Sequence, residues 1–144
     1  MDTISKKARS INMAAIKSRG TTPEVAIKLL LRSMRYKYTA NVRRLPGKPD
    51  IYVKSRNAVI FVHGCFWHQH NNCRYATSPK SNVKFWRLKL AINKVRDKQN
   101  IKNLNRMGYK TGIVWECEIK NARKKGFGKL KIKLRKILSS NGKK

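Results

Sequence analysis

Apolar positions along the chain fall into helical spacing in four stretches and into β-type runs between them. Ile4, Ala8, Ile11, Ala15 and Ile16, set among basic residues, predict a short cationic helix within 4–18. In "TTPEVAIKLLLRSMRYK" a Thr stands at the N-cap position, Pro23 and Glu24 occupy the first turn, and Val25, Leu29, Leu30 and Met34 recur at helical spacing. A helix over about 22–35 is expected. From residue 36 the period changes. "YKYTAN" is β-rich, "RLPGKP" reads as a turn, "DIYVKS" as a short strand, "RN" as a turn and "AVIFVHG" as a continuous apolar strand. This hairpin-like pair runs into "HGCFWHQHNNC" at 63–73.

After a polar loop, "RYATSPKSN", a long helix with Phe85, Trp86, Leu90, Val95, Ile101 and Leu104 extends to about 106, and Gly108 suits its C-terminal cap. "YKTGIVWECEI" reads as a buried strand and "KLKIKLRKILSS" as a basic amphipathic helix. The sum is an α/β fold, a mixed central sheet flanked by helices. With 144 residues the chain suits one domain over 1–144, with a basic N-terminal helix within 1–20 and a basic helix or tail over 123–144.

Charge narrows the partner. There are 36 Lys and Arg against 6 Asp and Glu, a formal +30, so the surface is cationic nearly throughout and attracts a polyanion. Nucleic acid fits best, because phosphates neutralised by Lys and Arg release counterions; an anionic membrane fits less well. "MDTISKKARSINMAA" has no apolar h-region or cleavage site, and no later segment approaches a membrane span. An intracellular, cytoplasmic protein with no membrane partner is expected.

All 3 histidines and two of the 3 cysteines lie in residues 63–73. An odd number of thiols in a reducing compartment argues against a disulfide framework. Cys65, His70 and Cys73 are close in sequence, and Cys117 supplies a distant fourth donor. Such a Cys₃His set suits a closed, structural zinc site stapling the 63–73 loop to "VWEC". The alternative is that Cys117 is a buried thiol and the clustering is coincidental. His63 and His68 remain outside this set, and strand alternation puts Val62 and His63 on opposite faces.

So few acids can be weighed one by one. Asp2 lies near the terminus, Asp97 among the bases of the long helix as an expected salt-bridge partner on that helix, and Glu116 and Glu118 flank Cys117. Glu24 suits a helix N-terminus. Asp50 opens a strand and has less structural reason to be an acid. If 50–54 pairs with 57–62, the Asp50 carboxylate and the Val62 main-chain carbonyl can share one Mg²⁺, as a phosphodiester hydrolase requires. His68 can then transfer protons near neutral pH.

"LPGKPDIYV", "VIFVHGCFWHQH", "SNVKFW" and "IVWEC" resemble, in order and spacing, the very short patch repair (Vsr) DNA mismatch endonucleases over roughly residues 5–120. The "PD" followed by a strand pair also resembles the restriction-endonuclease-like core. The resemblance implies a Mg²⁺-dependent enzyme that recognises a T:G mismatch in double-stranded DNA, arising by 5-methylcytosine deamination, and nicks 5′ to the T. It implies Asp50 and the Val62 carbonyl as Mg²⁺ ligands, His68 as acid/base, His63 and Glu24 as supporting residues, and Cys65, His70, Cys73 and Cys117 as structural zinc ligands. Phe66, Trp67 and Trp86 match residues that wedge into the base stack, and Met13 one that enters from the opposite groove. Burial in the core is the competing reading for these aromatics, most of all for Trp86. "HNNC" is one residue longer than the family's spacing, and Val62 stands where Thr is common. A monomer acting on the nucleoid, with mismatch-repair proteins as further partners, completes the expectation. Two rivals are a zinc-stabilised nucleic-acid-binding protein without catalysis and a nuclease of the same fold with restriction-type or other non-mismatch specificity.

Overall fold

The computed structural model describes residues 22–139. The basic helix expected within 4–18, with Met13, lies outside the described residues. Four strands form one sheet in the order β1 (Thr39–Ala40), β2 (Ile51–Val53), β3 (Ala58–His63) and β4 (Lys110–Trp115). β1 and β2 are antiparallel, as are β2 and β3, where Ile51 faces Ile60. β3 and β4 are parallel, from Ala58 opposite Lys110 to His63 opposite Trp115. Among the described residues the α-helices are α1 (Thr22–Ser33), α2 (Val83–Arg106), α3 (Glu116–Lys125) and α4 (Gly128–Ile137). The mixed sheet and flanking helices are as expected.

Strand alternation divides the core into two layers. Ala58 and Ile60 of β3, with Ile51, Val53 and Val114, pack against Ile27, Leu30 and Leu31 of α1, Ile119 and Ala122 of α3, and Leu130 and Leu134 of α4. Val59 and Phe61 face the other way, onto Leu104 and Ile101 of α2 and onto Val42 and Leu45. β3 is therefore buried on both faces, which accounts for its unbroken apolar sequence. Among the described residues no helix is long and apolar enough to cross a membrane.

α2 ends as expected. Tyr109 N–H donates to Leu104 O at 3.0 Å and Gly108 N–H to Asn105 O at 3.1 Å, with Gly108 at φ 93°. This pair of bonds requires a left-handed residue at 108, which glycine adopts without a Cβ clash. The late strand is shorter than expected. The apolar run through Cys117 reads as strand to 119, but Glu118 Oε1 accepts the Trp115 N–H at 2.9 Å and so starts a helix at Glu116. Lys133 then pairs with Glu118 at 2.6 Å and ties α4 to α3.

The basic C-terminal helix is a core element. Leu130, Leu134 and Leu138 are buried at successive helical turns, leaving the bases on the outer face. α4 sits tight on β4: a Cβ at Gly112 would fall 2.5 Å from Ile137 Cδ1 and 2.7 Å from its Cγ1 and Cγ2. Gly112→Ala is expected to cost roughly 1–3 kcal/mol in urea unfolding, by overpacking. Combined with Ile137→Ala, it should cost less than the two single losses together, because the second change removes the clash. Strict additivity would contradict the close packing of α4 on Gly112.

Candidate active site and metal centre

The C-terminal ends of parallel β3 and β4 lie side by side, and antiparallel β2 begins at the same end of the sheet. Asp50 immediately precedes β2, and its Oδ2 accepts the Val62 N–H at 2.7 Å. The expected neighbourhood of Asp50 and Val62 is present, with the amide of Val62 pinning the carboxylate. Burial lifts the Asp50 pKa from 3.8 to about 6, against the lowering effect of the Val62 hydrogen bond; the charge of Glu24 raises it further, and Lys28 and His68 oppose that. Glu24 is itself buried in the first turn of α1 and pairs with Lys28 at 2.7 Å. The Asp50 carboxylate is a hard oxygen donor of the kind Mg²⁺ takes.

His63 ends β3 on the face that carries Phe61, and it is only 5% exposed. Its ring stacks on His68 with centroids 3.7 Å apart and planes 6° from parallel. Burial, and then the adjacent His68, push its pKa down to about 3, so His63 is a neutral imidazole at working pH. Its Nδ1 is buried with no hydrogen-bond partner among the described residues. Such an atom is costly unless a substrate or ion satisfies it.

His68 Nδ1 lies 2.6 Å from Asp97 Oδ2. Asp97 was expected to pair with a base on its own helix, and the structure corrects this: its partner is a histidine 29 residues away. The signal was present in the spacing. Leu90, Asp97 and Leu104 lie seven residues apart, and Leu90 and Leu104 are buried, so Asp97 shares the inward face of α2. A carboxylate bonded to one ring nitrogen fixes the imidazole's orientation and leaves the other nitrogen for proton transfer.

Immediately beyond, Cys65, His70, Cys73 and Cys117 bring their donor atoms within 4.8 Å of one another. His70 Nδ1 lies 3.5 Å from Cys117 Sγ and 3.8 Å from Cys65 Sγ. Tetrahedral Zn²⁺ with ordinary Zn–S and Zn–N bonds separates such donors by about 3.6 Å. The spacing and the donor chemistry fit, and the cluster can hold a metal ion such as zinc. Burial pushes the Cys65 thiol up to about 12, and a cation is what would make it a thiolate. Trp115 joins the two centres: it stacks on His70 at 4.0 Å and sets its edge against His63 at 5.3 Å. Its role was not read from the sequence, where it is one more apolar residue of a strand.

Phe66, Trp67 and Trp86 touch each other with centroids 5.2–5.8 Å apart. All three are partly exposed, and none belongs to either core layer. Core burial is thereby overturned for Trp86 as well as for the adjacent pair. Asn93 of α2 donates to the Trp67 carbonyl at 3.1 Å and ties the loop down.

A family model described as DNA mismatch endonuclease Vsr matches residues 1–74. The type II nicking enzyme V.XorIIP of Xanthomonas oryzae pv. oryzae is 39% identical over 137 residues, covering 95% of this chain and 96% of its own. The chain belongs to the Vsr family. The type II nicking enzyme V.NmeAIP of Neisseria meningitidis is 41% identical, covering 83% of this chain and 85% of its own. DNA mismatch endonuclease Vsr of Escherichia coli is 37% identical, covering 85% of this chain and 78% of its own. This Vsr protein is thus a DNA mismatch endonuclease, and its formal charge of +30 suits a DNA partner, whose phosphates attract Lys and Arg.

The raised pKa of Asp50 has a consequence for the stability of this Vsr protein. The metal-free fold holds the Asp50 proton more tightly than the unfolded chain does, so stability falls as pH rises from about 4 through about 6. The loss by pH 7 is on the order of 3 kcal/mol. Asp50→Asn, which keeps an acceptor for the Val62 N–H, should therefore unfold at higher urea than the parent at pH 7 without Mg²⁺. The gain should vanish near pH 4. An equal gain at both pH values would mean that ionisation of Asp50 is not its source.

Proposed function

We propose that this Vsr endonuclease recognises a T:G mismatch in double-stranded DNA and nicks the T-containing strand 5′ to the T. The reading is carried by one observation: Asp50, His63, His68 and Asp97 gather at the same sheet end as three partly exposed, mutually packed aromatics. A chain with 6 acids has committed one to a half-buried carboxylate of raised pKa and another to orienting a histidine, which binding alone does not need.

Asp50 and the Val62 carbonyl would hold Mg²⁺, which when bound stabilises charge on the scissile phosphate and activates water. Asp97 holds His68 at Nδ1, so that its other nitrogen moves the proton. His63 stays neutral, stacks on His68 to fix its plane, and offers a buried nitrogen toward the phosphate. Glu24 supports from α1, where its charge acts on Asp50 and its own position is held by Lys28. Phe66, Trp67 and Trp86 form the wedge. A mismatched pair is cheaper to unstack, so inserting rings beside it turns local weakness of the duplex into selectivity. Met13 is assigned the opposite groove on the resemblance alone. Cys65, His70, Cys73 and Cys117 are assigned zinc, in a structural role, and the mixed sheet is assigned to the restriction-endonuclease-like class. The chain is read as one domain acting as a monomer on bacterial DNA in the cytoplasm, with mismatch-repair proteins as further partners.

End-labelled duplexes carrying T:G, T:A and C:G at one position, cut in the presence of Mg²⁺, test this directly. The expected product is a single nick 5′ to the mismatched T. Asp50→Ala should abolish it, and His68→Ala should slow it by roughly 10²–10⁴-fold. Phe66→Ala with Trp67→Ala should lower the preference for T:G over T:A more than it lowers overall DNA affinity. Cutting of matched duplexes would favour a restriction-type enzyme, and binding without cutting a non-catalytic module.

The zinc assignment makes a separate prediction. Elemental analysis after washing with a weak chelator should find zinc at one ion per chain, and Cys117→Ala should lose it. Unchanged zinc in Cys117→Ala, or none in the parent, would contradict the four-ligand site.

A further inference from the structure

α2 carries two apolar faces, and the described residues build their core on one. Leu90 and Leu104 are buried and Asp97 faces His68, which accounts for the inner face. On the outer face Phe85, Leu88, Ile92 and Val95 are 59%, 64%, 45% and 68% exposed. Their spacing of three, four and three residues is that of a coiled-coil seam, which keeps one stripe facing a partner helix. Beside them Ala91, Ile92, Val95 and Arg96 line a shallow depression of about 370 Å³, a place for a partner's side chain. Scattered exposed apolar residues need no explanation; four aligned in a heptad register on one helix do.

We infer that this outer face of α2 docks an acidic amphipathic helix of a partner protein. The charges beside the stripe select that occupant. Lys84, Lys89, Arg96 and Lys102 border it, all exposed, and the one acid of α2, Asp97, is turned to the opposite side. A second copy would set like charges against these bases across the seam, in a chain of net charge +30. Residues 1–21 are disfavoured for the same reason, having 5 Lys and Arg against Asp2 alone. Duplex DNA satisfies the bases but leaves the aliphatic stripe without apolar contact. A helix with Leu or Ile at its seam and Glu at its flanks satisfies both.

The test uses the full chain and a labelled synthetic peptide of three heptads, with Leu and Ile at the seam and Glu at the flanking positions. A companion peptide has Gln at the seam and the same Glu residues. By fluorescence anisotropy at physiological salt the first should bind and the second should bind far more weakly. Leu88→Gln/Ile92→Gln/Val95→Gln should weaken the first by roughly tenfold or more while leaving duplex DNA affinity and nicking unchanged. Lys89→Glu/Arg96→Glu, which keeps the stripe, should also weaken it, so the inference stays testable if the triple variant fails to fold. Equal binding of both peptides would reduce the surface to bare charge and overturn the inference. So would unchanged peptide binding by the triple variant, loss of its DNA affinity, or a parent dimer in sedimentation that the triple variant abolishes.

Discussion

The parallel pairing of β3 with β4 is the constraint on which the site depends. It sets His63 opposite Trp115, so the chain leaves both strands at one end of the sheet. Two residues further along each path stand Cys65 and Cys117, which is why donors far apart in sequence meet in one cluster. β2 runs the other way, so its beginning, with Asp50, lies at that same end. One register thus collects the carboxylate, the stacked imidazoles and the thiols. A slip by one residue would turn His63 to the opposite face and dismantle all three together.

The site is held at an energetic disadvantage that the rest of the fold offsets. A carboxylate whose pKa rises to about 6 and an imidazole whose pKa falls to about 3 are both groups whose charged form the interior disfavours. The two shifts run in opposite senses from one cause, since burial disfavours the charged form of each group. The remaining described acids are anchored elsewhere: Glu24 on Lys28, Glu116 on Lys120, Glu118 on Lys133. In a chain this cationic, these three acids answer local structural demands, and DNA supplies the general counter-charge.

What could be read in the sequence was whatever local periodicity and residue chemistry determine. The β2–β3 pair, α1, α2 with Gly108 at its end, and the joining of Cys117 to the 63–73 loop all follow from pattern, turn residues or donor type. α3 was missed because "VWECEI" has the composition of a strand; the backbone turns where Glu118 captures the Trp115 N–H, a single bond that composition does not show. Asp97 was assigned to its own helix because pairs four residues apart are the local rule, whereas its partner is set by how α2 lies on the sheet. α4 was read as a basic amphipathic helix, and Leu130, Leu134 and Leu138 on its apolar side make it a wall of the core.

Asp50 and the Val62 carbonyl are the proposed divalent-ion site, with the histidines left to move protons. Anomalous scattering from Mn²⁺, in crystals of the parent protein with a T:G duplex, tests it most directly. A peak bonded to the Asp50 carboxylate and the Val62 carbonyl is expected, with His68 still on Asp97. His63, His68 and Asp97 also bring their donor atoms within 4.8 Å of one another. A Mn²⁺ peak among those three, with none at Asp50, would place the divalent ion on the histidines and rule out the Asp50 site.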